Sequence, residues 1–304
     1  MTHDRPILGI LLMLGFCVLA PLQDAMAKIL GSLVPLYTLL LVRFGTQGGM
    51  LWPLCRATGR SMALPRRIVG LAWLRAALHI LGIGCMFTAL QYLPIADAIA
   101  IAFVMPFIML LLGWAVLGEA VGLYRLTACA VGFFGTLLVI QPAFADVGWP
   151  ALLPMVVALV FALYMLVTRS ISKETDPIAL QAVNGGMAVV ILVPVGVVLW
   201  VWDVDLWAGW PEPFYLVMLL AVGVLGTLAH LLMTWSLRFA PSTTLAPMQY
   251  LEIPMATLIG WLVFGDWPNG LAAIGILITI AAGLFIIWRE QTRAAPASAQ
   301  SSPS

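Results

Sequence analysis

Gly113-Trp114-Ala115-Val116-Leu117-Gly118-Glu119 and Gly260-Trp261-Leu262-Val263-Phe264-Gly265-Asp266 are one phrase written twice, 147 residues apart. Each copy closes an apolar run with a glycine followed by an acid. Working outward, Ala89-Leu90-Gln91-Tyr92-Leu93-Pro94 matches Ser236-Leu237-Arg238-Phe239-Ala240-Pro241 at the same offset, and Pro106 matches Pro254 after a one-residue slip. Pro35 and Pro177, then Pro53 and Pro194, correspond at offsets of 142 and 141. Apolar segments share a small alphabet, so some likeness arises by chance. A GWxVxG-acid phrase at corresponding ends of corresponding runs does not, and the chain reads as an internal duplication.

Composition says what was duplicated. Of 304 residues 63% are apolar and 9% charged, where soluble domains carry roughly 45–50% and about 25%. So few charges cannot cover a water-exposed surface, which excludes a cytosolic enzyme, a nucleic-acid binder and a disordered chain. A bilayer core needs about 20 apolar residues as a helix. Ten such stretches occur, at about 7–27, 35–55, 71–91, 95–117, 122–141, 149–169, 178–201, 214–237, 243–264 and 270–288. They are continuous runs, not the alternating ten-residue strands of a barrel, so they read as helices that satisfy their own backbone. Ala25-Met26-Ala27 superficially resembles a signal cleavage site, but the duplication needs the first helix. Cys17, Cys55, Cys85 and Cys129 lie in or beside apolar runs without metal or redox spacing and read as small buried residues.

Five helices per copy is an odd number, so the second copy enters the membrane upside down. With the N-terminus in the cytoplasm, Arg5, Arg56, Arg60, Arg66, Arg67, Arg75, Arg125, Arg169, Lys173, Arg238, Arg289 and Arg293 fall inside and only Lys28 outside. That distribution is the positive-inside pattern. Trp200, Trp202, Trp207 and Trp210 cluster in one outer loop as an interfacial belt. The expected fold is an all-α membrane protein of ten transmembrane helices in two inverted-topology five-helix repeats. The repeats span residues 1–143 and 147–290, followed by a disordered cytoplasmic tail at 291–304. Inverted repeats are an architecture of secondary transporters, with the substrate near mid-depth between the halves.

These features resemble the drug/metabolite transporter superfamily in its EamA-type branch, over about residues 7–290. Asp24-Ala-Met-Ala-Lys28, Val42-Arg43-Phe44, Ala229-His230, Arg238-Phe239-Ala240-Pro241 and Ala246-Pro247-Met248-Gln249-Tyr250 look like the bacterial subgroup for S-adenosylmethionine and riboflavin uptake. The resemblance implies a multi-pass carrier of the bacterial inner membrane with both termini cytoplasmic. It also implies a central cavity lined by helices one, three, four, six, eight and nine. No phosphate-binding GxxxxGK[ST] loop is present, and no cofactor or metal is expected.

Ionisable residues within spans are functional candidates by default. Asp24 and Lys28, at i and i+4, either pair along one helical face or anchor the helix at the outer interface. Arg43, mid-span, either meets a substrate carboxylate or phosphate or pairs with a partner such as Asp24. Asp97 opens the fourth helix, where the helix dipole favours an acid. Glu252 stands two residues before Pro254, whose missing amide frees a carbonyl. Gln249, Tyr250 and Glu252 are therefore expected to line the cavity, with Glu252 binding a cationic group or the coupling proton. His79 and His230 read first as packing residues and second as site residues; Tyr164, Asn184, Gln91, Trp235, Thr243 and Thr244 add hydrogen bonding or stacking. The small pairs Gly45/Gly49, Ala128/Gly132 and Thr279/Gly283 are expected at helix contacts.

The function expected is secondary transport of a small organic metabolite, leaning to uptake of a cofactor-like or heteroaromatic compound; a planar, partly cationic or heteroaromatic substrate suits Tyr250, Trp235 and Glu252. Export of amino acids or toxic metabolites is the alternative. An intramembrane enzyme would show HExxH, GxSxG or a nucleophile–base pair, and a scaffold would need larger loops; neither fits. Expected partners are the substrate, the bilayer, a coupling proton or sodium ion and, for a homodimer, a second copy, but no nucleic acid.

Overall fold

A computed structural model describes residues 5–117, 123–204, 206, 212–240 and 245–299. Glu119, Asp205, Trp207, Trp210, Thr243 and Thr244 lie outside the described residues, as do the side chains of Pro106, Trp114, Arg125 and Cys129. Every regular element among the described residues is helical: α1 (Pro6–Leu30), α2 (Leu36–Ala57), α3 (Arg66–Ala89), α4 (Ile95–Ala102), α5 (Met105–Leu117), α6 (Leu123–Val147), α7 (Leu153–Ser172), α8 (Pro177–Val201), α9 (Pro213–Phe239), α10 (Glu252–Phe264) and α11 (Gly270–Ala299). Short 3₁₀ segments, η1 (Trp149–Leu152) and η2 (Ala246–Leu251), lead into α7 and α10. Six of the described helices are long and apolar enough to cross a bilayer, so this is a multi-pass membrane protein.

Local chemistry explains the boundaries. Asp176 caps α8 by accepting from the amides of Ile178 and Ala179 at 3.0 Å, with Pro177 at the first helical position. Gly265, left-handed at φ 72°, stops α10, which makes it the glycine of the duplicated phrase. The fourth apolar run is interrupted at Phe103–Val104, and Pro106 falls in the first turn of α5, where its missing amide costs nothing. The ninth run is likewise divided, between η2 and α10, with Pro254 in the first turn. α11 runs to Ala299, with Pro296 in its last turn.

Helix pairs build the molecule: α1 on α9, α3 on α7, α2 on α8, α6 on α11, and α4 on α10. Lipid supplies no hydrophobic drive for helices to associate, so close backbone approach matters. At the α2–α8 crossing a Cβ on Gly185 would stand 2.7 Å from the Gly48 amide nitrogen. At α6–α11 a Cβ on Gly275 would stand 2.4 Å from the Gly135 carbonyl oxygen, and Thr279 also lies in this contact. Gly45 and Gly49, the pair expected from spacing, face open space instead. The four-residue rule identifies a helix face, and α8 meets the neighbouring face carrying Gly48.

Ion pairs gather the corners at two ends. At one end Arg60 pairs with Asp176 and Arg67 with Glu174, joining the α2–α3 corner to the α7–α8 corner. At the other, Lys28 donates to the Leu93 carbonyl at 2.6 Å and lies 3.7 Å from Asp266, with its ammonium over the Phe264 ring. Thr38 bonds the Leu206 carbonyl at this second end.

Candidate functional site

The two interrupted helices meet beside a cavity. Its walls are Phe16, Ala20, Gln23 and Asp24 of α1, Ile83 and Met86 of α3, and Ile99, Ala102 and Phe103 at the α4 break. Met105 of α5, Val157, Ala158 and Phe161 of α7, His230 of α9, Gln249 of η2 and Glu252 of α10 complete it. These are the spans that the family resemblance implied: first, third, fourth, sixth, eighth and ninth. The cavity encloses about 60 Å³, and about 590 Å³ is empty once the open mouth is counted. The surface is mainly aromatic and aliphatic, with polar atoms confined to Gln23, Asp24, His230, Gln249 and Glu252.

The 3₁₀ form of η2 sorts its side chains. At three residues per turn, positions i and i+3 eclipse, so Gln249 and Glu252 share the cavity face. Tyr250 points elsewhere: its ring packs on Phe103 at 5.2 Å and its hydroxyl approaches Gly132. Glu252 accepts no hydrogen bond among the described residues. The Gln249 amide nitrogen lies 3.7 and 3.3 Å from the sulfurs of Met13 and Met165, leaving its oxygen buried without a partner.

Behind this wall runs a buried polar network. Arg43 donates from Nε to Gln23 Oε1 (3.2 Å), from Nη1 to Gln47 Oε1 (2.9 Å) and from Nη2 to His230 Nδ1 (3.2 Å). Gly226 makes room for it, since a Cβ there would stand 2.2 Å from Arg43 Nε. Arg75 donates to Thr168 (2.8 Å), Asn184 (2.8 Å), Tyr164 (2.6 Å) and Thr234 (3.2 Å). The rings of His79 and His230 lie in contact, centroids 4.3 Å apart and tilted by 42°. Gln47 and Gln181 join the halves of the network, with the Gln47 amide 2.7 Å from the Gln181 carbonyl.

Of the residues singled out from sequence, Asp24, His230, Gln249 and Glu252 line the cavity, and Arg43, His79 and Tyr164 form the network behind it. Trp235 does not join them. It packs with Leu51, Cys55, Ile178, Ala179, Ala182 and Leu231 in a separate cluster. Asp24 pairs with neither Lys28 nor Arg43: Lys28 reaches Leu93 and Asp266, Arg43 donates to three neutral acceptors, and among the described residues Asp24 accepts only a long bond from Gln23 (3.5 Å).

Arg75, expected among the inner-end charges, is instead fully buried, because α3 starts at Arg66 and Arg75 lies about 14 Å further along at 1.5 Å per residue. The signal for it was present. Arg43/Gln47, Arg75/His79, Tyr164/Thr168 and His230/Thr234 are polar pairs at i, i+4 within four different spans, which places each pair on one helix face.

The sequence pattern of the EamA-like transporter family matches residues 7–141 and again residues 148–288. A riboflavin transporter of Rhizobium johnstonii is 31% identical over 229 residues, covering 72% of this chain and 70% of that one. An S-adenosylmethionine uptake transporter of Rickettsia prowazekii is 23% identical over 93% of each chain. The pseudopaline exporter CntI of Pseudomonas aeruginosa is 23% identical over 90% of this chain and 94% of its own. A solved crystal structure superposes with a TM-score of 0.67 at 18% identity, covering 93% of this chain and 96% of the other, and so shares the fold.

Proposed function

This chain belongs to the EamA-like transporter family, and from that premise we propose that it is a secondary transporter carrying a small organic metabolite across the bacterial inner membrane by alternating access. The cavity at the meeting point of two interrupted helices carries the proposal, because discontinuous helices at corresponding positions of two repeats mark substrate sites in secondary transporters. The fourth span breaks at Phe103–Val104, and the ninth changes from 3₁₀ to α at Glu252.

Ten helices in two oppositely inserted modules, residues 1–143 and 147–290, are part of this reading. Exchanging the modules turns the α1–α9 pair into the α7–α3 pair and the α4–α10 pair into the η2–α5 pair, and leaves α2–α8 and α6–α11 each mapped onto itself. That reciprocity supports a twofold relation between the repeats. With Arg75 withdrawn, the inner-side count falls from twelve to eleven, still against Lys28 alone, which supports cytoplasmic termini. Rocking of the modules would expose the cavity alternately at the Arg60–Asp176 end and at the Lys28–Asp266 end.

For direction and cargo, uptake of a cofactor-like or heteroaromatic compound is our reading. Phe16, Phe103 and Phe161 suit a flat ring, and the riboflavin and S-adenosylmethionine relatives are named for such cargo. Export is the second reading, favoured by the likeness to the pseudopaline exporter. Purified protein in proteoliposomes is expected to give saturable, gradient-sensitive flux of a heteroaromatic metabolite. Flux equal to empty vesicles across a broad metabolite panel would contradict it.

A further inference from the structure

The hydrogen-bond valences left open around the cavity follow from what their neighbours must do. A guanidinium can only donate. Arg43 Nη2 faces His230 Nδ1 at 3.2 Å, so Nδ1 accepts and the imidazole proton sits on Nε2. The Gly226 carbonyl, 3.0 Å from the same nitrogen, is the i−4 carbonyl that already accepts in the helix. A charge-assisted bond outweighs a second contact to it. The same logic fixes the second ring: Arg75 donates to Asn184 Oδ1, so Asn184 Nδ2 faces and donates to His79 Nδ1. Both histidines are therefore neutral Nε2–H tautomers, and neither Nε2 has a partner among the described residues. Of the two, His230 lines the cavity.

Gln249 supplies the opposite valence. Thioether sulfur is at best a weak acceptor, so the amide nitrogen faces Met13 and Met165 while Oε1 is left buried and unpartnered on a residue that lines the cavity. His230 is 2% and Gln249 1% exposed, and a buried polar atom left without a partner destabilises the empty site. A ligand with one acceptor and one donor relieves both.

Charge balance favours a neutral ligand over a cationic one. Arg43 and Arg75 are permanently cationic, and among the described residues the carboxylates on the cavity wall are Asp24 and Glu252. These four groups sum to zero with both carboxylates ionised and to a positive charge if either binds a proton, so together they carry no net negative charge to draw in a cation.

We propose that His230 Nε2–H and Gln249 Oε1 are the specificity pair of the site. They select an uncharged planar heterocycle bearing a lactam-type C=O and N–H, held among Phe16, Phe103 and Phe161. This rests on the carrier reading, and it replaces the expectation of a cationic group on Glu252 with a neutral ring.

The test uses full-length protein in lipid nanodiscs and calorimetric titration with riboflavin and guanosine, each beside its ring-N-methylated counterpart, and with S-adenosylmethionine. At least one neutral compound is expected to bind, and methylating its ring N–H to weaken binding about tenfold or more. In Gln249→Met the methylated and unmethylated forms are expected to bind within about twofold of each other. ¹⁵N spectra of histidine-labelled wild type, which need no variant, are expected to show His230 as the Nε2–H tautomer. Equal wild-type binding of methylated and unmethylated ligands, or a protonated Nδ1 on His230, overturns the assignment. Binding of S-adenosylmethionine alone overturns it while leaving transport intact. No binding of any probe, with no flux of any metabolite in proteoliposomes, overturns the carrier reading as well.

Discussion

Arg75 shows how far one side chain can carry structural weight. Its donors satisfy Thr168, Asn184, Tyr164 and Thr234 on three other helices, α7, α8 and α9. Removing them leaves buried acceptors unmet at about 1–3 kcal/mol each. Arg75→Met is expected to destabilise the protein by on the order of 3 kcal/mol or more, seen as earlier loss of the monodisperse peak on heating in detergent; an unchanged midpoint would contradict it. Arg75→Lys is expected to rescue little, because an ammonium lacks the planar fork. Glu252 is the opposite case, with no hydrogen bond among the described residues. Glu252→Gln is expected to keep wild-type thermal stability but lower gradient-driven flux by about tenfold or more, because an amide cannot carry the coupling proton; wild-type flux would remove it from the site. Much of this scale was legible. Asp24, Gln249 and Glu252 stood out as polar residues in apolar runs, whereas Arg75 did not, because arginines near span ends ordinarily face water and only the helix start at Arg66 shows otherwise.

At the scale of elements, glycine positions separate contact from coincidence. Gly185→Ala and Gly275→Ala each force a methyl into facing backbone, at 2.7 and 2.4 Å. Each is expected to cost about 1–3 kcal/mol. Gly45→Ala and Gly49→Ala meet nothing and are expected to be neutral or slightly stabilising, within about 0.5–1 kcal/mol. Thermal midpoints of the four variants check this, and equal losses in all four would contradict the observed crossings. The helix runs could be read from hydropathy because lipid leaves few alternatives. Which face meets which partner could not, because α2 carries glycines at 45, 48 and 49 and only the position of α8 chooses among them. The split of the ninth run was half legible: Pro254 signals a break, but the 3₁₀ turn that sends Tyr250 away from Gln249 and Glu252 has no sequence mark of its own.

For the whole molecule, the duplicated phrase acquires a physical role. Its glycine ends α10, and its acid, Asp266, meets Lys28 from the end of α1, binding the first helix of one repeat to the fourth of the other. Opening that end requires the contact to part. In a background lacking Cys17, Cys55, Cys85 and Cys129, a disulfide between K28C and D266C is expected to stop flux and a reductant to restore it. Continued flux with the bond formed would show that this end does not open there. Underneath lies the proposed antiparallel arrangement of the repeats, and single-cysteine labelling from either face of sealed vesicles tests it most directly. Positions in 58–64 and 173–175 are predicted to react from the cytoplasmic face alone, and positions in 31–34 and at Asp266 from the opposite face alone; labelling of 58–64 and 173–175 from opposite faces would contradict the inverted arrangement.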